Sequence, residues 1–404
     1  MKTVGILGAG YVGLATAASF AARGFSVTCA DTNDEKIAVL QQGSLPFFEQ
    51  GMQEVFSAAS IPVIFTTDLL LACKCDIVFC CVGTPSAVDG SADLSFVKSA
   101  ALTCAEAAPN RILVLKSTVP PGTSRLIAEL VNGRLRVVAN PEFLREGSAV
   151  YDGLHPSRII IGVDNKEDSA ILEEIYHDVD APIIVTDTVT AEMVKYASNS
   201  FLATKISFIN EIAGLCDVVG ADVRVVANGM GLDDRIGSKF LEPGPGYGGS
   251  CFPKDVRALM HLGESVGTPL KILQATTLVN TERQSLSYRI LEKELGSLAG
   301  KRIAIWGLAF KPGTDDVRGA PALELLRQCL AAGVNVVAFD PLVHSLPSDF
   351  ARAKIADSMI AAVSDADALV IMTNWPEFSL TNREQILSSM KGSLIVDLRY
   401  VLRR

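Results

Sequence analysis

Charge is sparse in this sequence: 20% of its 404 residues are charged, and the formal net charge is −9. It therefore lacks the basic surface that non-specific nucleic-acid binding requires, and any anionic ligand must be held by local cations or backbone N–H groups. Long apolar runs are missing too; none approaches the ~20 residues of a membrane span. Histidine is rare, and His155, His177, His261 and His344 lie far apart without ligand spacing, so no metal site is indicated. The nine cysteines show no even pairing, the pattern of reduced thiols in a cytoplasmic protein rather than of a disulfide framework. Met1-Lys2-Thr3-Val4 runs directly into a strand pattern and lacks the basic, apolar and small-residue series of an export signal. The expectation is a soluble cytoplasmic protein with neither a membrane nor a nucleic acid as partner.

What is present is aliphatic. Apolar residues make up 49% of the chain against 6% aromatic, a composition suited to buried parallel sheets. A chain this long exceeds one ordinary core, so two or three domains are expected. Short aliphatic runs at 4–7, 26–30, 77–82, 112–115 and 136–138 read as strands, with helices at 13–23, 34–42 and 94–107. Such alternation implies right-handed βαβ units and a doubly wound domain. From 190 to 219 there is no proline, and Met193, Val194, Ala197, Phe201, Ile206, Ile209, Ile212 and Leu215 recur at helical spacing. A helix of that length connects domains or forms a dimer interface. At Lys301 the βα rhythm restarts, with strands at 302–307, 334–339, 368–372 and 394–396 and a helix at 321–332. The expected fold is α/β, two doubly wound Rossmann-like domains joined by a long central helix, with boundaries at 1–187, 188–299 and 300–404. The second α/β unit is analogous rather than repeated, because its first turn lacks the Gly8-x-Gly10 spacing.

Gly8-Ala9-Gly10-Tyr11-Val12-Gly13 follows the first strand and opens the first helix. Gly8 permits the tight turn, Gly10 lets the backbone approach a pyrophosphate, and Gly13 lets helix and strand pack closely, with the anion at the helix N-terminus. That spacing alone also describes a plain tight turn. Asp31 adds specificity: it ends the second strand, 18 residues past Gly13, where a carboxylate holds a ribose 2′-OH and repels a 2′-phosphate. The cofactor read from these residues is NAD rather than NADP.

Gly248-Gly249-Ser250-Cys251-Phe252-Pro253-Lys254-Asp255 is the second dense stretch. Its glycines allow tight backbone approach, so their N–H groups can face an anion. Cys251 has Lys254 and the start of a helix beside it, both of which favour a thiolate. A lone cysteine is ordinarily a small buried hydrophobe. Cys29, Cys80 and Cys81 in core strands are read that way, and Cys73-x-Cys75 lacks the partner pair of a zinc site. Flanking glycines and a Lys-Asp tail set Cys251 apart.

Further motifs follow in order along the chain: Val82-Gly83-Thr84-Pro85, Ser117-Thr118-Val119-Pro120 and Asn140-Pro141-Glu142-Phe143-Leu144-Arg145-Glu146-Gly147. After them come Glu192-x-x-Lys195-Tyr196-Ala197-x-Asn199, Asn210-Glu211, Asp234-Arg235-Ile236-Gly237, Phe310-Lys311-Pro312, Asp316-x-Arg318 and Phe339-Asp340-Pro341. With the two glycine-rich stretches, this series resembles the UDP-glucose/GDP-mannose dehydrogenase family over essentially the whole chain. Ser250-Cys251-Phe252-Pro253-Lys254 is most similar to its UDP-glucose branch.

The resemblance implies an NAD-dependent oxidation of a nucleotide-sugar alcohol to the acid, with Cys251 holding the intermediate as a thiohemiacetal and then a thioester. Lys195 and Asn199, four apart on one helix face, would share one developing oxyanion; by spacing alone they also fit a solvated face. Asp255 resembles the family's base or water-orienting carboxylate, and Glu146 and Thr118 the groups that position the hydrolytic water. Gly8, Gly10, Tyr11, Val12, Gly13, Asp31, Lys36, Thr84, Pro85, Thr118, Glu146 and Arg318 are implied on the cofactor. Glu142, Phe143, Leu144, Lys195, Asn199, Tyr247, Gly248 and Lys311 are implied on the UDP-glucose or a close nucleotide sugar, and Arg235 on the neighbouring subunit's site in a homodimer or higher oligomer.

Two departures stand out. Glu242 replaces a lysine that several relatives direct toward the sugar, and Phe47-Phe48-Glu49-Gln50-Gly51 differs from the usual pattern there. Other readings stay open: a GDP-mannose or UDP-N-acetylhexosamine dehydrogenase, a single-step β-hydroxyacid dehydrogenase, or an NAD-sensing regulatory protein. The β-hydroxyacid enzyme has no nucleophilic cysteine, and a sensor would not need Cys251, Lys195 and Asp255.

Overall fold

A computed structural model of the protein describes residues 2–402. They form two compact units. One is built from the chain up to Ser198 together with Arg257–Val266, the other from Asn199–Val256 together with the chain from Gly267 onward. No helix among the described residues is long and apolar enough to cross a membrane.

In the first unit, β1 (Thr3–Leu7), β2 (Ser26–Ala30), β3 (Ile64–Thr66), β4 (Ile77–Cys80), β5 (Ile112–Leu115), β6 (Arg136–Ala139), β7 (Ile159–Gly162) and β8 (Ile183–Thr186) make one sheet. Its order is β3-β2-β1-β4-β5-β6-β7-β8, parallel except where Ala139 of β6 meets Gly162 of β7 antiparallel. The chain order reverses between β1 and β4, the switch point at whose carboxyl end ligands bind in such sheets.

The central strands β4 and β5 are continuously apolar because each face is covered. Ile77 and Phe79 enter one core with Val4, Ile6 and the Leu14, Ala18 and Phe20 side chains of helix Tyr11–Ala22. Val78 and Cys80 enter the opposite core with Leu7, Leu113 and the Val97, Ala101 and Cys104 side chains of helix Ser95–Ala107. This is period-two alternation in which both phases are apolar. Each fully buried Leu or Phe contributes about 1.5–3 kcal/mol.

Helix Thr188–Val219 runs for 32 residues. Asp187 caps its start, accepting from Thr190 N at 3.0 Å, and Gly220 ends it in the left-handed region (φ +78), where a side chain would be strained. Its buried face mixes apolar side chains such as Ala191, Tyr196, Ala203, Ile209 and Ala213 with polar ones: Glu192, Lys195, Asn199, Ser207 and Asn210 are at most 6% exposed. Polar groups withdrawn from water this way are stable only with hydrogen-bond partners, and those partners build much of the site described below.

In the second unit, β9 (Arg302–Trp306), β10 (Asn335–Phe339), β11 (Lys354–Ile355), β12 (Ala368–Ile371) and β13 (Leu394–Asp397) form a parallel sheet in the order β11-β10-β9-β12-β13. The protein is thus α/β with two Rossmann-like sheets and a long central helix, as its patterning implies. The turn after β9 is closed by Asp340, whose Oδ2 accepts from Leu308 N at 2.7 Å and Ala309 N at 3.1 Å. Those amides are spent within the protein, which is the physical content of the missing glycine spacing.

Candidate active site

At the end of β1 the glycine turn has two different demands. A Cβ on Gly13 would lie 1.8 Å from the Gly8 carbonyl oxygen, so no side chain fits where helix and turn touch. A Cβ on Gly10 would meet nothing within 4 Å; that side of the turn is open, leaving room for a phosphate to approach the backbone. Asp31 Oδ2 accepts from Ala9 N and from Lys36 Nζ, each at 2.7 Å, and Oδ1 accepts from Asn33 N at 2.9 Å. Burial pulls the Asp31 carboxyl up, but Lys36 and the two amides outweigh it and hold it below its ordinary value. Tyr11 stacks on Phe47, ring centres 3.7 Å apart, and Val12 is half-buried behind it. Past β4 and β5, Thr84 Oγ1 donates to the Thr118 carbonyl at 2.8 Å, with Pro85 exposed beside it. Open turn, ionised acid and these strand-end loops fit a dinucleotide.

Further along the same unit, Lys195 Nζ donates to Glu142 Oε1 at 2.8 Å, and Leu144 N donates to Glu142 Oε2 at 2.6 Å. Burial raises the Glu142 carboxyl, and the nearby Lys195 charge and hydrogen bond more than reverse this, so its pKa lies below the ordinary glutamate value. Phe143, between them in sequence, carries the Arg158 guanidinium over its ring at 3.7 Å, with Lys195 Nζ at 5.5 Å. One turn before Lys195, Glu192 accepts from Gly122 N (2.6 Å), Ser124 N and Ser124 Oγ (both 2.7 Å). It thereby holds the turn that follows Thr118 against the helix that carries Lys195. Burial raises the Glu192 carboxyl. Glu146 is half-buried with Oε2 shut off from solvent, in a turn closed by Ser148 N donating to the Arg145 carbonyl at 2.9 Å.

In the second unit, Asp255 N donates to the Cys251 carbonyl at 2.9 Å, so Cys251 caps helix Phe252–Ser265. The positive end of the helix dipole favours a thiolate there. Cys251 is the only one of the nine cysteines that is not buried. Burial lifts Cys80 to about 11 and Cys81 and Cys329 to about 12, which leaves them as inert thiols. Ser250 Oγ lies 3.5 Å from Cys251 Sγ. Asp255 is fully buried, with Oδ1 accepting from Lys254 Nζ at 2.6 Å and Oδ2 from Asn199 Nδ2 at 2.7 Å.

The loop before Cys251 is pinned by buried side chains. Gly244 N donates to Asn210 Oδ1 and Tyr247 N to Asn280 Oδ1, both at 2.7 Å, and Arg283 Nε donates to the Gly244 carbonyl at 2.7 Å. One expectation needs correcting: Gly249 N–H does not face an anion but donates to the Arg318 carbonyl at 3.0 Å. Gly248 packs so tightly on this turn that a Cβ would lie 2.1 Å from the Gly319 oxygen. The glycines serve that packing. Arg318 is paired with Asp316 at 2.7 Å, Lys311 Nζ lies 5.7 Å from the Phe310 ring centre, and Arg235, its side chain 88% exposed, pairs with Asp233. Glu242 accepts from Asn374 Nδ2 at 3.1 Å and raises the pKa of Arg399. Burial outweighs that and depresses Arg399 to about 10; the carboxylate at 242 thus acts electrostatically on a half-buried guanidinium.

Asn280, Arg283 and Arg399 escape the sequence reading, and Glu49 enters it only within a segment given no role. For Asn280 and Arg283 a signal exists: with Leu273 and Thr276 they occupy the buried face of helix Lys271–Gln284, and polar residues at core spacing mark buried hydrogen-bonding duties.

The chain matches three descriptions of one family in succession: the NAD binding domain over residues 2–180, the central domain over 189–282 and the UDP binding domain over 304–404. It is 42% identical to the UDP-glucose 6-dehydrogenase TuaD of Bacillus subtilis (strain 168), across 99% of this chain and 89% of that protein. It is also 42% identical to the UDP-glucose 6-dehydrogenase of Rhizobium meliloti (strain 1021), across 99% and 95%. Its fold is similar to that of a UDP-glucose dehydrogenase from the hyperthermophilic archaeon Pyrobaculum islandicum, with a TM-score of 0.93 and 38% identity over 99% of this chain and 95% of that one. With its dinucleotide turn and all three parts matched in order, the chain is an NAD-dependent dehydrogenase and belongs to the UDP-glucose/GDP-mannose dehydrogenase family.

Proposed function

We propose that the enzyme oxidises the primary alcohol of UDP-glucose to the carboxylate in two successive two-electron steps. The observation that carries this reading is Cys251, the one cysteine outside the core, capping a helix whose first turn holds the buried Asp255. NAD, when bound, accepts one hydride in each step. Gly8, Gly10 and Gly13 would leave space for its pyrophosphate, Asp31 beside Lys36 would hold its ribose, and Tyr11, Val12, Thr84, Pro85, Thr118, Glu146 and Arg318 would complete its surroundings.

Lys195 and Asn199 stabilise negative charge on the reacting oxygen. The Cys251 thiolate adds to the aldehyde carbon, the thiohemiacetal loses the second hydride, and water cleaves the resulting thioester to release carboxylate and thiolate. Overall one alcohol, two NAD⁺ and one water give one carboxylate, two NADH and three protons. Glu146 and Thr118 position the water, and Asp255, fixed between Lys254 and Asn199, orients it or takes its proton. Glu142, Phe143, Leu144, Tyr247 and Gly248 contact the sugar nucleotide and Lys311 its diphosphate. Arg235 serves a neighbouring subunit's site in a homodimer. In this reading residues 1–187 bind NAD, 188–299 carry the dimer helix and the cysteine, and 300–404 bind the UDP-sugar; the site of action is the cytoplasm.

Following NADH with UDP-glucose, UDP-galactose, UDP-N-acetylglucosamine and GDP-mannose tests the reading. Two NADH per UDP-glucose, with UDP-glucose the fastest, supports it. One NADH per substrate rejects the thioester route, and a faster GDP-mannose or UDP-N-acetylglucosamine moves the substrate within the family.

A further inference from the structure

The segment 47–51, singled out in the sequence, carries a glutamate with a defined place in the structure. Glu49 is 3% exposed and 98 residues from the turn it grips. Its Oε2 accepts from Gly147 N at 2.7 Å and its Oε1 from Ala149 N at 2.8 Å. On the other flank of that turn, Asp152 Oδ2 accepts from Arg145 N at 2.9 Å, and the Asp152 carboxylate takes both Nε (2.9 Å) and Nη2 (2.6 Å) of the Arg145 guanidinium. Residues 145, 147 and 149 are thus each fixed through the backbone by a carboxylate, and Glu146 stands between the two clamps. Charge-assisted bonds to backbone N–H groups are short and strong, so the Glu146 backbone has little freedom left. The same segment turns to the cofactor turn as well, where Phe47 stacks on Tyr11.

We infer that Glu49 is a positioning residue for Glu146: it sets the backbone from which the Glu146 carboxylate addresses the water that cleaves the acyl-enzyme. This rests on the reading of Glu146 given above. A carboxylate that activates a neutral nucleophile must sit within hydrogen-bond reach of it, and a misplacement of about 1 Å costs about 10²-fold. The first hydride transfer needs no such water. Loss of Glu49 therefore slows the hydrolytic half of the reaction and spares the oxidative half.

The test is rapid mixing of NAD and UDP-glucose with Glu49→Gln, Glu49→Ala, Glu146→Gln and the double variant Glu49→Gln/Glu146→Gln, with NADH absorbance and the intact mass of the acid-quenched enzyme as readouts. Glutamine keeps one acceptor but turns an NH2 toward one of the two amides; alanine removes both acceptors. The expected result is a burst approaching two NADH per active site in every variant, followed by turnover slowed about 10²-fold. An acyl adduct should sit on Cys251, Glu49→Ala should be slower than Glu49→Gln, and the double variant should be no slower than Glu146→Gln. A fold defect would instead lower the burst amplitude and raise the KM for NAD. If Glu146→Gln bursts and accumulates adduct while the Glu49 variants do not, the inference falls and the reading of Glu146 stands. If the double variant shows the product of the two single effects, Glu49 acts by another route and the inference falls. If Glu146→Gln itself shows neither burst nor adduct, that reading fails and the inference fails with it.

Discussion

Lys195 Nζ and Glu142 Oε1 lie 2.8 Å apart with their side chains 4% and 3% exposed, an ion pair almost wholly withdrawn from water. Burying two charges is costly, and the pair holds because each also meets other groups, Leu144 N on the carboxylate and the Phe143 ring beside the ammonium. The arrangement fixes the Lys195 side chain where the proposed chemistry needs a cation.

Glu142→Gln should therefore do more than remove a contact. It leaves a buried ammonium without its counter-charge, at a cost of about 3–5 kcal/mol near neutral pH. The pH dependence has a definite sign. Because the folded-state pKa of Glu142 is lowered, its contribution is complete above the ordinary glutamate value and is lost as pH falls through the depressed folded one. Urea unfolding at pH 7 and pH 4 checks this: the gap between parent and variant should narrow at the lower pH. An unchanged gap would place the stability elsewhere.

Cys251→Ser should bind NAD and UDP-glucose normally and turn over several orders of magnitude more slowly. An alkoxide is far harder to generate near neutral pH than a thiolate, even at a helix N-terminus. Steady-state NADH production together with equilibrium binding separates the two effects. A variant retaining near-parental kcat would remove the thioester from the mechanism.

How far the residues disclose the protein depends on how local the signal is. The glycine turn, Asp31 and the Cys251 loop are legible because their chemistry lies within a few residues, or within one βαβ unit. Strands β4 and β5 are legible because burial on both faces leaves an unbroken apolar run, and β1, β2 and β6 because short apolar stretches recur between helical patterns. β3 and β11 are edge strands of three and two residues, too short for a period to register. β8 keeps Ile184 and Val185 half in solvent at the sheet edge. Glu49 is illegible for another reason: its two amide donors lie 98 and 100 residues away, and no spacing rule reaches that far. Gly249 shows the converse, a local reading overturned because its N–H finds a partner at Arg318.

The long helix carries Phe201, Phe208 and Leu215 at seven-residue intervals, 65%, 44% and 59% exposed. A heptad stripe of large apolar side chains has the geometry of a helix–helix seam, and the cheapest cover for it is a second copy of the same helix. Phe201→Glu combined with Phe208→Glu should shift the protein to monomer in sedimentation velocity. If Arg235 completes a neighbouring site, activity should fall in parallel with the dimer fraction. A parent protein that is a fully active monomer at assay concentration would refute the assembly.

Asp31 and Asp340 occupy the same place in two sheets, each directly following the second strand of its unit and each accepting an N–H from the turn after the first. Their environments divide the roles. Asp340 is 2% exposed and collects Leu308 N, Ala309 N, Leu342 N, Val343 N and Trp375 Nε1, so Asp340→Ala should strand five donors and cost on the order of 3 kcal/mol or more. Asp31 has a side chain 13% exposed and in contact with Lys36, so the amides it leaves behind can turn to water and the fold should lose only about 1 kcal/mol. The effect of Asp31→Ala should appear in cofactor use instead. Losing a charged hydrogen bond to the ribose should raise the KM for NAD about 10- to 100-fold. The freed Lys36 ammonium then stands where a 2′-phosphate would lie, so the NADP-to-NAD ratio of kcat/KM should rise by more than the loss of repulsion alone gives. Asp31→Ala/Lys36→Ala should give back that extra part. Urea midpoints for the two aspartate variants, with kcat/KM for both cofactors, test the whole argument. Equal use of NAD and NADP by the unmodified enzyme would overturn the role assigned to Asp31.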